Sequence, residues 1–377
     1  MHLSYWEKKT YFSNVDIVII GSGIVGLNAA INLRLKYPKS KIVIVERGFL
    51  PYGASTRNAG FACFGSVSEL LDDLTSMSEQ EVFSLVEKRW KGLARLRQLL
   101  GDDAIGFEMK GGYEVFTDSD KSCFNDCVAK MGYLNKELKT IIGDEKVYTS
   151  NDDEIKKSGF KKVNHLIKNN FEGQIDTGKM MDALLNLALH HEIKILNGVD
   201  ITHFEENENE IKLFTNHDFS FSTSKLLVCT NGFAKSILPE LAVNPARAQV
   251  LITSPIKDLK VSGTFHYDKG YYYFRDIDNR LLFGGGRNLD FETEATDEFG
   301  LTQLVQNKLE ELLSEIILPN TDYAVEQRWS GIMGLGNTKT TIVKQVSKNV
   351  YCAVRMGGMG IAIGSLIGQE AAEMVEL

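Results

Sequence analysis

The feature that most narrows what this chain can fold into is a strand–glycine–helix junction near its start. Val15-Asp16-Ile17-Val18-Ile19-Ile20 is a β-branched run, apolar nearly throughout, as expected of a strand buried on both faces. Gly21-Ser22-Gly23-Ile24-Val25-Gly26 follows at once, and Leu27 to Tyr37 then reads as a helix ended before Pro38. A second buried strand, Lys41-Ile42-Val43-Ile44-Val45, runs into Glu46 and Arg47. Gly21 permits a tight turn, Gly23 lets the main chain approach a pyrophosphate, and Gly26 lets the helix lie close to the strand. The loop around Ser22, Ile24 and Val25 then offers free N–H groups and a positive dipole end to phosphate. Glu46, about twenty residues beyond Gly26, stands where a carboxylate accepts hydrogen bonds from ribose hydroxyls. The unit is a complete βαβ dinucleotide fold. Alone, it does not choose between nicotinamide and flavin dinucleotides.

The chain has 377 residues, enough for two interleaved domains. Its net charge of −8 argues against broad binding to a phosphate backbone, which needs a basic face, so no nucleic-acid partner is expected. No apolar run approaches the roughly 20 residues of a membrane helix. Met1 to Asn14 lacks the basic start and apolar stretch of a secretion signal. Five cysteines in no regular framework suggest a reducing compartment, and a cytoplasmic location is the expectation. Cys123 and Cys127 lie four apart with no second Cys or His pair nearby, so no metal is expected.

Residues 66–100 read as helical, with strand-like pieces at Gly106–Met109 and Tyr113–Phe116, and 121–170 as mostly helix or loop. A helix over Lys179–His191 precedes short strands at 194–196, 211–214 and 226–228. Residues 245–290 are rich in strand signals and aromatics; helices follow at Gln303–Ile316 and from Ser365.

Several later segments fall in an order that carries a resemblance. Gly53-Ala54-Ser55-Thr56-Arg57-Asn58-Ala59-Gly60, followed by Phe61, resembles the second flavin-contacting stretch of the D-amino-acid-oxidase-like (DAO) FAD-dependent oxidoreductases. Within that family the segments look like those of the glycine oxidase, sarcosine oxidase and γ-glutamylputrescine oxidase branch. Gln174-Ile175-Asp176 and Gly198-Val199, Val228-Cys229-Thr230-Asn231-Gly232, and Arg247-Ala248-Gln249 resemble that family's adenine, Ala-Thr-Gly and Arg-Gly-Gln segments. Gly270-Tyr271-Tyr272-Tyr273-Phe274-Arg275 and Gly284-Gly285-Gly286 resemble its substrate-domain strands. Arg328-Trp329-Ser330-Gly331 and Gly357-Gly358-Met359-Gly360, followed by Ile361, resemble its two C-terminal flavin segments.

The resemblance implies an α/β fold: a Rossmann-type FAD-binding domain interleaved with an α+β substrate domain on a mixed, mainly antiparallel sheet. The expected division assigns 12–75, 170–240 and 322–377 to FAD, and 76–169 and 241–321 to substrate. It further implies FAD-dependent oxidation of the C–N bond of a small amine or amino acid. Two alternatives stay open: a flavin dehydrogenase of 2-hydroxy acids with an acceptor other than oxygen, and a non-catalytic or RNA-related flavoprotein.

Three departures from the family bear on function. No cation follows the Trp-x-Gly segment before Lys339, so a carboxylate clamp must come from elsewhere, with Arg275 and Arg287 as candidates. No Cys lies between 230 and 351, so noncovalent FAD is expected. Residues 281–289 contain no Lys of the kind that family oxidases place over the flavin, which leaves oxygen as acceptor in doubt. Strand alternation puts Tyr271, Tyr273 and Arg275 on one face, where they would bound a substrate, although aromatics also serve plain sheet packing. His266 reads as a surface or core histidine. No catalytic residue is singled out, and the sequence does not specify an oligomeric state.

Overall fold

Ile17 and Ile19 enter one apolar cluster and Val18 and Ile20 another, so the first strand is covered on both faces. That is why its sequence shows no alternation. In the computed structural model, which describes residues 2–377, this strand (Val15–Ile20) lies parallel between Ile42–Glu46 and Ser220–Val228. Lys194–Asn197 and Val350–Val354 extend the parallel sheet on either side, with Ile342–Gln345 as an antiparallel edge. Helices Ile24–Lys36, Thr177–His190 and Gly360–Met374 cover the face of Ile17 and Ile19. Antiparallel strands Ile201–Glu206 and Ile211–Thr215 supply Ile201, Ile211 and Leu213 to the other face.

Two of these helices sit unusually close. A Cβ at Gly364 would meet Ile24 Cγ2 at 2.8 Å, and one at Gly368 would meet Asn28 Cβ at 2.6 Å. Because both matched positions advance together, Ile24–Lys36 and Gly360–Met374 run in the same direction. Their N-termini therefore emerge side by side.

The second sheet has the order Val325–Leu335, Asn244–Thr253, Arg280–Gly285, Tyr272–Ile277, Thr264–Tyr267, Gly112–Thr117, Val163–Asn169, Tyr148–Ser150. It is antiparallel except between Thr264–Tyr267 and Gly112–Thr117. Tyr272 and Phe274 point into a core with Phe265, Phe283 and the helix Gln303–Leu312. Val325–Leu335 pairs along the whole of Asn244–Thr253, from Asn244 opposite Leu335 to Thr253 opposite Val325. It thus belongs to the second sheet, although it falls within 322–377.

Three local expectations differ from the structure. Val163–Asn169 is a strand inside the charged 121–170 stretch; it places Leu166 and Ile167 in cores on opposite faces, so no alternation marks it. Gly106–Met109 is not a strand and makes one bridge, Glu108 to Gln174. The last helix begins at Gly360 rather than Ser365, because the glycines that weaken its helical signal are required by the close helix pair. Among the described residues no helix is long and apolar enough to cross a membrane.

Candidate active site

A cavity of roughly 480 Å³ lies between the two sheets, walled by the glycine loop, the 53–61 segment, the substrate-side strands and the start of the last helix. Gly21 makes the turn at φ 103°, and a Cβ at Gly26 would lie 2.0 Å from the Gly21 carbonyl oxygen. Gly21, Gly23, Ile24 and Val25 reach the wall, whereas Ser22 and Gly26 do not. Ser22 is fully buried and turns inward, donating from N and Oγ to Glu46 Oε2 at 3.1 and 2.9 Å. Glu46 Oε1 accepts from the Gly48 N–H at 3.0 Å, so this cavity-wall carboxylate is already oriented by three protein donors. Arg47 lies on the wall with its guanidinium 3.7 Å from the Phe233 ring centroid. Val199 also reaches the wall, but its N–H is donated to the Glu46 carbonyl.

Ser55, Asn58, Ala59 and Phe61 line the cavity. Ser55 Oγ accepts from the Ile24 N–H at 3.0 Å, tying this segment to the helix start. Asn58 spends its amide on the loop: it donates to the Ala54 and Ser55 carbonyls and accepts from Gly60 N and Thr177 Oγ1. Gly60 lies behind the wall, where a Cβ would stand 2.4 Å from the Ile175 carbonyl oxygen. Thr230 and Asn231 are on the wall, while Gly232 faces away, against the Met333 carbonyl. Thr230 Oγ1 is buried without a hydrogen-bond partner among the described residues. Gly357, Gly358, Met359, Gly360 and Ile361 close that side, with φ of 59° and 81° at the first two.

On the far side Tyr271 and Tyr273 line the cavity, and Phe61 packs edge-on to Tyr273 at 5.6 Å and to His266 at 5.2 Å. Tyr271 precedes the strand Tyr272–Ile277. Arg275 departs from the expectation. It is 2% exposed and packs over Gly60 behind the wall, where burial pulls its guanidinium down to about 10. Arg287, the other candidate, does line the cavity; among the described residues it forms no ion pair, and it lies 4.9 Å from the Phe291 ring centroid.

Other wall residues were invisible to motif reading. Lys269 pairs with Asp72 at 2.9 Å and Lys339 with Asp73 at 2.7 Å, linking the short helix Val67–Asp73 to two loops across the cavity. His266 is buried on the wall with neither ring nitrogen hydrogen-bonded among the described residues; burial lowers its pKa and so favours the neutral ring. No local pattern could have found these residues, because each belongs to the cavity through tertiary pairing. For His266 the signal is register, which sets it opposite Glu114 and Tyr273.

Glu114 supports a pH prediction. It is buried, accepts from the Ser68 N–H at 3.2 Å and from Ser68 Oγ, and burial pushes its carboxyl from 4.5 up to about 7. Between those pH values the folded chain holds a proton that the unfolded chain has lost, so stability falls as pH rises and levels off above 7. The loss is about 3 kcal/mol. Glu114→Gln should therefore gain about that much relative to the parent between pH 4.5 and 8. Urea unfolding at both pH values checks it; a pH-independent difference would refute it.

A family model described as FAD dependent oxidoreductase (DAO) matches residues 16–374. The chain is 19% identical over 394 residues to the "Probable oxidoreductase OrdL" of Haemophilus influenzae, covering 97% of this chain and 84% of that protein. Glycine oxidase from Bacillus cereus has a similar structure, with a TM-score of 0.76 at 16% identity over 96% of this chain and 94% of that one. L-Proline dehydrogenase from P. horikoshii gives 0.74 at 17% identity over 96% and 93%. These two likenesses establish the fold, and the family match spans nearly the whole sequence. The chain belongs to the DAO family of FAD-dependent oxidoreductases and is an enzyme.

Proposed function

We propose that this enzyme oxidises the C–N bond of a small amine or amino acid, with noncovalent FAD lying along the cavity from Glu46 to Gly358. Three observations support that placement of the cofactor. The helices Ile24–Lys36 and Gly360–Met374 both begin at the wall without a cap from the residue before them; Ser55 holds only the Ile24 N–H, which leaves further N–H donors for phosphate and ring oxygens. Thr230 Oγ1 is a buried wall atom awaiting a partner. The main chain at Gly357 and Gly358 is uncrowded on the wall, where a Cβ added at either position would make only ordinary contacts, the nearest at 3.5 and 3.6 Å.

FAD, when bound, supplies the hydride acceptor. The protein's share is to hold the substrate and exclude water. The observation that carries the substrate reading is Arg287, 5.8 Å from the Tyr271 ring centroid on a wall that Tyr273 also lines; among the described residues its guanidinium has no carboxylate partner. Arg287 would hold a substrate carboxylate in place of the buried Arg275. The tyrosines would bound the amine-bearing carbon, whose nitrogen must be unprotonated to form the C=N bond as hydride leaves. Hydrolysis of the resulting imine then releases the amine nitrogen. Glycine oxidase and L-proline dehydrogenase among the similar structures support an amine substrate.

An anaerobic screen of flavin bleaching tests this reading. Amines or amino acids are expected to bleach the flavin; bleaching by 2-hydroxy acids alone would overturn it. With an amino acid that bleaches, Arg287→Met is expected to raise the dissociation constant roughly 10- to 100-fold, the loss of a charge-assisted hydrogen bond, and to change the saturating rate less. An unchanged dissociation constant would remove Arg287 from the site.

A further inference from the structure

We propose that Cys63, Glu172 and His266 form a binding site for one divalent cation of the zinc class, bordering the substrate side of the cavity. The inference does not rest on the amine reading. One ligand atom from each side chain, a thiol sulfur, a carboxylate oxygen and a ring nitrogen, lies within 4.8 Å of the other two. Four-coordinate zinc takes these donors at about 2.0–2.3 Å. The trio could close on an ion by small side-chain rotations.

The fold assembles the trio from three distant segments. Ala62 pairs with Gly173 in a two-strand ladder, which sets Cys63 and Glu172 side by side. His266 comes from the substrate sheet, two residues after Thr264, whose Oγ1 is 3.8 Å from Cys63 Sγ. All three are buried, with exposures of 1% for Cys63, 1% for Glu172 and 7% for His266.

The independent sign of a ligand is His266. Among the described residues neither of its ring nitrogens has a hydrogen-bond partner, although the side chain is more than nine-tenths buried. Buried polar groups are nearly always satisfied, and a metal bond satisfies an imidazole nitrogen as a hydrogen bond would. Glu172 is already oriented, because its Oε1 accepts from the Phe64 and Gly65 N–H groups at 2.8 and 3.0 Å. Such outer hydrogen bonds fix a ligating carboxylate.

Charge balance points the same way. A thiolate, a carboxylate and a neutral imidazole around a dication give a complex with no net charge, which a buried site tolerates. The surrounding groups are the carboxylates of Glu69, Asp73 and Glu114 and the cations of Arg89 and Lys339. Cys63 and His266 both line the cavity, so the fourth coordination position would open onto it, the arrangement of sites that take an exchangeable ligand. The competing occupant is water. A void of about 10 Å³ beside His266 and Glu172 has room for one molecule.

The test is a titration of chelator-treated, FAD-loaded enzyme with Co²⁺, followed by Zn²⁺ competition. One equivalent of Co²⁺ should produce a thiolate-to-cobalt band and tetrahedral bands to the red of the flavin absorption, both abolished by Zn²⁺. Cys63→Ser should remove the thiolate band. Glu172→Gln and His266→Asn should weaken binding roughly tenfold or more while retaining FAD. The Glu172 and His266 variants decide the matter if the Cys63 variant does not fold. No thiolate band in the parent, or unchanged affinity in both those variants, would overturn the site and leave water as its occupant.

Discussion

Replacing Arg247 by methionine is expected to destabilise the enzyme by about 3–5 kcal/mol, the cost of leaving a buried carboxylate without its cation. Arg247 Nε and Nη2 donate to Glu294 at 2.8 and 3.2 Å, and the carboxylate of Glu294 is 1% exposed. Gln249 and Thr302 complete the set, donating to Glu294 Oε1 at 2.8 and 2.9 Å. The network fastens the 287–302 segment to the strand Asn244–Thr253. Arg247→Lys keeps the charge but loses the fork, so it should be intermediate. The double variant Arg247→Met/Glu294→Leu should recover much of the loss, since replacing a whole buried pair is far less costly than halving it. Urea unfolding of the four proteins measures this. A loss under about 1 kcal/mol for Arg247→Met would mean the pair is solvated in solution.

The second large effect is expected at Gly26. A methyl group there would sit 2.0 Å from the Gly21 carbonyl oxygen, a main-chain atom that cannot rotate away. Relief requires the helix start to move by roughly 1 Å, and overpacking of this kind costs about 1–3 kcal/mol or more. That outweighs the ~1 kcal/mol that alanine gains over glycine in a helix. The same shift displaces Ile24 and Val25 on the cavity wall and breaks the short contact from Ile24 N to Ser55. Gly26→Ala should therefore purify with much less flavin, its FAD affinity lowered on the order of tenfold or more. Flavin absorbance per protein and fluorescence titration of the apoprotein measure it. Full flavin content would show that the loop does not position the cofactor.

How much of this was legible depended on how local each signal was. Val15–Ile20, the glycines and Ile42–Glu46 are contiguous, and a strand buried on both faces writes itself as an unbroken apolar run. Val163–Asn169 is also buried on both faces, but its lysine and asparagines hid that within a charged stretch. The Arg247-Ala248-Gln249 segment is part of a strand, and its two polar side chains converge on Glu294. Nothing around residue 294 announces that role. At the substrate end, alternation correctly sent Tyr273 away from Tyr272 and Phe274. Alternation fixes a face but not depth, so Arg275 was expected in the cavity and instead lies behind Gly60. His266, Cys63 and Glu172 meet only through tertiary pairing, so no window of sequence holds them together.

The parallel helix pair at Gly364 and Gly368 has an electrostatic consequence. Each helix carries about half a positive charge at its N-terminus, and the fold sets these two ends together facing the same cavity. With no anion between them, the two ends repel across this close seam. A bound anion acts as their shared counter-ion. Apoprotein should therefore be strained at this seam, and phosphate alone should restore part of its order.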